Sequence, residues 1–229
     1  MLEKSNKHVV LCGDSIFDNA NYVEKGELDV LGHLQQLQKN TGNQASLLAV
    51  DGDVCLDVLQ QVKQLPGDTS HIFVSAGGND ALGFMGVLTE SYASNEELFL
   101  AIANIQIQFR ERYVKMLEGV LALKLPTIVC TVYNPRYNLP DPTTGIASKF
   151  MQTKQKILSA LLSLFNDVII QEASMRNFSL IDLRAICNTD ADFANPIEPS
   201  TIGAEKLAAK ILQVLSEHDF ADVSTRLYM

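Results

Sequence analysis

The chain reads as a single-domain, three-layer α/β/α sandwich on a five-stranded parallel sheet, in the flavodoxin-like order 2-1-3-4-5. Three observations predict it. Short apolar runs alternate five times with longer amphipathic stretches, the pattern of a parallel sheet covered on both faces. The first three runs each end at a glycine-bearing turn, Gly13, Gly52 and Gly77-Gly78. No repeat, low-complexity run or linker divides the 229 residues, a length that suits one large domain.

Val9-Val10-Leu11-Cys12 is the first strand, β-branched and too short for a helix. Leu28 to Lys39 then repeats leucine and valine at helical spacing, and Thr41-Gly42-Asn43 stops it. Ala45 to Val50 is the second strand, closed by Asp51-Gly52-Asp53. Asp53 is positioned to cap a helix that buries Leu56, Leu59, Val62 and Leu65. His71 to Ala76 is the third strand, followed by Gly77-Gly78-Asn79-Asp80 and a helix from Ala81 to Leu88. A longer helix over Glu96 to Leu123 places Phe99, Ile102, Phe109, Tyr113, Met116 and Val120 on one face. Thr127 to Val132 is the fourth strand. Three prolines make Asn134 to Gly145 a loop, placed to wall a pocket. Lys149 to Phe165 is helical, Phe178 to Leu183 is the fifth strand, and Ile202 to Leu215 is the last helix. His218 to Met229 carries no readable signal.

Composition narrows the function. A formal net charge of −9 argues against a nucleic-acid or anionic-membrane partner, because phosphates would be repelled. Residues 1 to 7 are polar, the apolar run after them is too short for a signal peptide, and no window approaches a membrane span. Those features suggest a cytoplasmic protein. Cys12, Cys55, Cys130 and Cys187 are far apart and show no Cys-x-x-Cys pairing, so they read as reduced core thiols.

In a parallel sheet all strands end at one edge, and ligands bind there. Ser15, Gly52, Asn79, the Asn134 loop and the segment before Ile202 therefore gather at that edge. Ser15 is either a nucleophile or the cap of a following turn. The backbone N–H groups of Ser15 and Gly52, with the Asn79 amide, are suited to hold an oxyanion. Such donors are worth about 3–4 kcal/mol each in hydrolases. Taken singly, Gly52 and Asn79 are also ordinary turn residues and Asp80 an ordinary helix cap.

Gly13-Asp14-Ser15, the lone Gly52 and Gly77-Gly78-Asn79-Asp80 resemble three blocks of the SGNH (GDSL-type) serine hydrolases, over about His8 to Ser216. The resemblance implies an esterase, lipase, thioesterase or carbohydrate O-deacetylase acting on a small-molecule ester without metal or organic cofactor. It also implies Ser15 as nucleophile, with Ser15, Gly52 and Asn79 as the oxyanion hole and Asp14 and Asp80 in support.

The fourth block departs from that family, which carries Asp-x-x-His before the last helix. Here Asn195 and Glu198 stand at those two positions. His8 and His71 begin strands, His218 ends the last helix and His33 lies mid-helix, so none replaces the missing base by position. Three outcomes stay open: Glu198 is the base, its pKa raised by burial, with Asn195 hydrogen-bonding it; the enzyme is impaired; or the pocket only binds an acyl or carbohydrate ligand. A separate alternative gathers Asp14, Asp51, Asp53, Asp80 and Glu198 around Mg²⁺ for phosphoryl chemistry.

Overall fold

The computed structural model describes residues 6–137 and 149–229. Its strands are β1 (His8–Gly13), β2 (Gln44–Leu47), β3 (His71–Ser75), β4 (Thr127–Cys130), β5 (Ser179–Ile181) and β6 (Leu227–Tyr228). They pair in parallel in the order β2-β1-β3-β4-β5-β6. The expected order is present, but the sheet has six strands where the sequence predicts five. The sixth comes from the tail: Leu180 N donates to Arg226 O and Asp182 N to Tyr228 O, both at 2.8 Å. Two residues are too few to show the alternation that marks a strand in sequence.

The helices are α1 (Val30–Gln38), α2 (Val58–Gln61), α3 (Gly78–Gly83), α4 (Asn95–Leu121), α5 (Lys149–Met175), α6 (Leu183–Ile186) and α7 (Thr201–Glu217). Helix α1 packs on α7, while α4 packs on α2 and α5, covering the sheet. Side-chain caps start the principal helices. Asp29 accepts from Gly32 N at 2.7 Å, Ser94 from Glu97 N at 3.2 Å and Ser200 from Gly203 N at 3.3 Å.

Several elements differ from expectation. The helix expected after Asp53 shrinks to α2 and a single 3₁₀ turn, Val62–Gln64. Asp53 caps nothing there; its carboxylate accepts from Gln61 Nε2 instead, and the buried face is Cys55, Val58, Gln61 and Val62. The helix expected from Ala81 starts at Gly78 and breaks after Gly83 into a 3₁₀ turn, Met85–Leu88, since Gly83 and Gly86 both disfavour a regular helix. Phe99, expected on the buried stripe of α4, is 67% exposed, because the fully buried part of that helix begins only at Phe109. Helix α5 continues ten residues beyond the expected end, and by length and composition it is apolar enough to cross a membrane, unlike what the sequence suggests. Here it buries Leu158 and turns Leu162, Phe165, Val168 and Ile169 into the core. Of the Asn134 to Gly145 loop, residues from 138 onward lie outside the described residues.

The core β-strands are wholly buried, and two carboxamides fix where they release the chain. Gln61 Oε1 accepts from Gly13 N, and its Nε2 donates to Gly13 O, both at 2.7 Å. Asn166 treats Val132 in the same manner: Oδ1 accepts from Val132 N and Nδ2 donates to Val132 O, both at 2.8 Å. Asn166 supplies both partners that a neighbouring strand no longer offers Val132, whereas Gly13 O also accepts from Val50 N at 3.1 Å and only the Gly13 N–H depends on its carboxamide. Gln61→Leu is expected to lose about 1–3 kcal/mol in urea unfolding, the cost of stranding the buried Gly13 N–H. The exposed neighbour change Gln60→Leu stays within about 0.5 kcal/mol.

Candidate active site

Gly13 ends β1 with φ +133°, and a Cβ there would stand 1.8 Å from Ser75 O. Only glycine can pass β3 this closely. The chain then turns at once: Asp14 N donates to Ser75 O at 3.1 Å, and Phe17 N and Asp18 N both return to Asp14 O at 3.0 Å. Ser15 sits inside this turn, buried, and its Oγ donates to Glu198 Oε1 at 3.1 Å. The structure thus brings together two residues 183 positions apart.

Glu198 is held by its main chain. Asn195 Oδ1 accepts from Ile197 N at 3.0 Å and from Glu198 N at 3.1 Å. Glu198 O accepts from Ala194 N at 2.9 Å, and the Tyr133 hydroxyl donates to Ile197 O at 2.7 Å. Asn195 therefore shapes the turn that carries Glu198; the expected bond from its amide to the Glu198 carboxylate gives way to these two main-chain bonds, because the turn folds back over the Asn195 oxygen. Asn19, fully buried, joins the two halves of the site. Its Nδ2 donates to Pro199 O at 3.1 Å and its Oδ1 accepts from Val30 N at 2.9 Å. Sequence reasoning passed over Asn19, Tyr133 and Gln61; Asn19 alone carried a signal, as a polar residue four positions after Ser15.

The other candidates take distinct places. Asn79 Nδ2 donates to Asp53 O at 2.9 Å, which leaves its second hydrogen for a ligand and ties it to the Gly52 turn. Gly52 has φ +90° and is exposed at the rim rather than lining the cavity. Asp80 is buried, accepts from Cys55 N at 2.9 Å and pairs with Arg112 at 3.6 Å, so it braces the turn after β2 instead of capping a helix. Asp14 is buried, with Oδ1 accepting from Ile16 N at 3.1 Å. The four histidines lie away from the site, and none lines the cavity: His8 bonds Asp68, His33 Thr201, His71 Ser70 and His218 Tyr228. All four cysteines are free and buried. Among the described residues, no group of three or more His, Cys, Asp or Glu side chains is arranged to hold a metal ion, so Asp14, Asp51, Asp53, Asp80 and Glu198 do not form the Mg²⁺ cluster considered from sequence.

Beside Ser15 a cavity of about 110 Å³, open to solvent, lies between α4 and α5. Asp14, Ser15, Asn79 and Glu198 line one part of it; Leu82, Phe84, Ile102, Leu158, Leu162 and Phe165 are among its apolar walls. Pro135 and Tyr137, from the start of the loop after β4, also line it. Burial lifts the Glu198 carboxyl from 4.5 to about 7; the Ser15 hydroxyl opposes the rise and Asp51 adds to it. Burial likewise raises Asp14 to about 8, opposed by the Ile16 N–H and reinforced by Glu198 and Asp80.

A carboxyl whose folded pKa is raised stabilises the fold below its unfolded pKa and loses that contribution as pH rises through the folded value. Glu198→Gln has no such loss. Its stability relative to the wild type is expected to climb between pH 4.5 and pH 7, by at most about 1.4 kcal/mol per pH unit, and then level off. Urea titrations at pH 5, 6, 7 and 8 measure the gap; a constant gap would show that Glu198 is not desolvated.

No protein-family model and no curated protein matches the sequence. Solved structures do. The extracellular lipase of Streptomyces rimosus is 18% identical, covers 93% of this chain and 100% of its own, and superposes with a TM-score of 0.61. Phospholipase A1 from Streptomyces albidoflavus NA297 is 18% identical over 94% and 100%, with a TM-score of 0.62. The acetyl xylan esterase AlAXEase is 15% identical over 91% and 99%, also at 0.62. With its parallel order, its Gly-Asp-Ser turn after β1 and its near-complete coverage by such enzymes, the chain has the SGNH (GDSL-type) hydrolase fold.

Proposed function

We propose that the protein is a serine ester hydrolase of the GDSL type in which Glu198 takes the place of the usual histidine, and that it cleaves esters whose acyl chain fills the apolar cavity. The observation that carries this reading is the Ser15–Glu198 hydrogen bond at the floor of that cavity. A serine hydroxyl is a weak nucleophile until a base within hydrogen-bond reach takes its proton. A free carboxylate is too weak for this at neutral pH, whereas one raised to about 7 approaches the basicity of imidazole.

The chemistry follows in two halves. Ser15 Oγ bonds to the carbonyl carbon as its proton passes to Glu198 Oε1, and the carbonyl electron pair moves onto oxygen. The Ser15 main-chain N–H and the spare Asn79 hydrogen are the donors for that oxyanion, with Gly52 N–H reaching in from the rim. Collapse expels the alcohol, which recovers the proton from Glu198. Water then attacks the acyl-serine by the same route, its proton passing through Glu198 to Ser15. The similar solved structures span a lipase and an acetyl xylan esterase. The apolar walls of the cavity favour an aliphatic acyl group over acetate, because each buried methylene contributes about 0.8 kcal/mol.

The test is a series of p-nitrophenyl esters from acetate to decanoate. kcat/KM is expected to rise about fifteenfold per added methylene pair until the cavity is full, and to rise with pH through an ionisation near 7. A fluorophosphonate probe should modify Ser15, located by tandem mass spectrometry. Ser15→Ala abolishes turnover, and Glu198→Gln lowers kcat by about 10³-fold. Labelling at another serine, or wild-type rates in Glu198→Gln, overturns the assignment. A folded protein that neither labels nor turns over is a binding module.

A further inference from the structure

Asp14 lies directly before the nucleophile, and its two oxygens have different fates. Oδ1 accepts from Ile16 N. Oδ2 is buried and has no hydrogen-bond partner among the described residues, while the residue is only 1% exposed. Such an orphan is costly, and one that lines a cavity beside a candidate nucleophile points to a role in the reaction. Asp14 lines the cavity together with Ser15, Asn79 and Glu198. The residue opposite Oδ2 is a glycine: a Cβ on Gly78 would lie 3.5 Å from it, in van der Waals contact.

Resting on the reading above, we propose that Asp14 is a second carboxyl of the reaction, a hydrogen-bond donor whose Oδ2 carries the hydrogen and offers it to the carbonyl oxygen of the bound acyl group.

The surroundings of Asp14 keep that hydrogen in place. Glu198 approaches from the loop before α7, Asp80 from α3, Cys55 from the segment before α2, and Cys130 and Tyr133 from β4 and its end. Burial pushes both thiols and the phenol up, so they stay neutral. Arg112 is the cation near this group, and it faces Asp80 Oδ1 at 3.6 Å. Glu198 and Asp80 therefore disfavour a further negative charge, and once Glu198 is ionised Asp14 gives up its own proton only near 8. Between these two ionisations the site holds one charged and one neutral carboxyl. During attack the Ser15 proton goes to Glu198, the electron pair goes to the carbonyl oxygen, and the Asp14 hydrogen bonds that oxygen without leaving Oδ2. Above the second ionisation Asp14 places a negative charge where the oxyanion must form, and turnover falls.

The experiment combines pH–rate profiles on p-nitrophenyl octanoate with ¹³C titration of aspartate carboxyls in the ligand-free protein, where the Asp14 resonance is the one missing from Asp14→Asn. Wild-type kcat should rise near pH 7 and fall near pH 8. Asp14→Asn retains a donor, so it should keep kcat within about tenfold and lose the alkaline fall. Gly78→Ala, which sets a methyl against Oδ2 while keeping the carboxyl, should lower kcat at least tenfold without changing the fluorescence-monitored unfolding midpoint by more than a mild core change does. An Asp14 resonance that titrates like an ordinary carboxyl overturns the proposal, as does an Asp14→Asn profile with the wild-type alkaline fall. A wild type without turnover removes the serine-hydrolase reading and this role together; an elevated Asp14 titration in that case identifies the reading, and not the carboxyl, as the point of failure.

Discussion

The geometry at the sheet edge depends on side-chain amides standing in for strands. At the end of β1 and just past β4, buried main-chain groups need partners the ladder does not supply. Gln61 satisfies the Gly13 N–H and shares the Gly13 C=O with Val50 N, and Asn166 satisfies both groups of Val132. A main-chain partner would have prolonged the ladder, whereas an amide on a helix ends it at a fixed residue. The turn carrying Ser15 begins where Gln61 permits, and the wall carrying Tyr133 begins where Asn166 permits. Gln61 also bonds the Asp53 carboxylate, so the same side chain registers the Gly52 turn against the first.

On that frame the site is closed by a segment from the far end of the chain. Asn19 grips Pro199, Tyr133 grips Ile197, and Asn195 folds the intervening turn onto itself. Lys206 and the Asn188 and Thr189 N–H groups secure the buried Asp192 beneath, at 2.6, 2.9 and 2.8 Å. Glu198 is thus delivered to Ser15 by main-chain anchoring, with its carboxylate left to the serine. This arrangement fits a carboxylate base: bonds donated to the Glu198 oxygens would lower its pKa and weaken it.

Much of the fold was legible because burial leaves periodic marks. Five strands, their parallel order and the common edge follow from apolar runs and their spacing, and Gly13 announces the turn that only it can make. The rest was hidden for physical reasons. Gln61, Asn166 and Asn19 act on main chain far away in sequence, and a buried amide in a helix has the same one-letter identity as a surface one. β6 is too short to alternate. Phe99 keeps the stripe's period although the stripe has left the core. In the site, topology brought the segment before the last helix to the edge of Ser15 and the resemblance singled out Glu198 within it, but whether Asn195 meets the side chain or the main chain of Glu198 depends on a turn that spacing does not specify.

The Asn19–Pro199 bond has a consequence for how the molecule is made. Emerging from the ribosome, the chain up to β5 contains Ser15, its turn and most of the sheet, yet neither Glu198 nor the helix on which α1 packs. The Ser15–Glu198 and Asn19–Pro199 bonds and the α1–α7 packing all join distant parts of the sequence, the kind of contact that forms late. The pairing of Ser15 with Glu198 therefore reports that the segment before α7 has docked on the sheet edge.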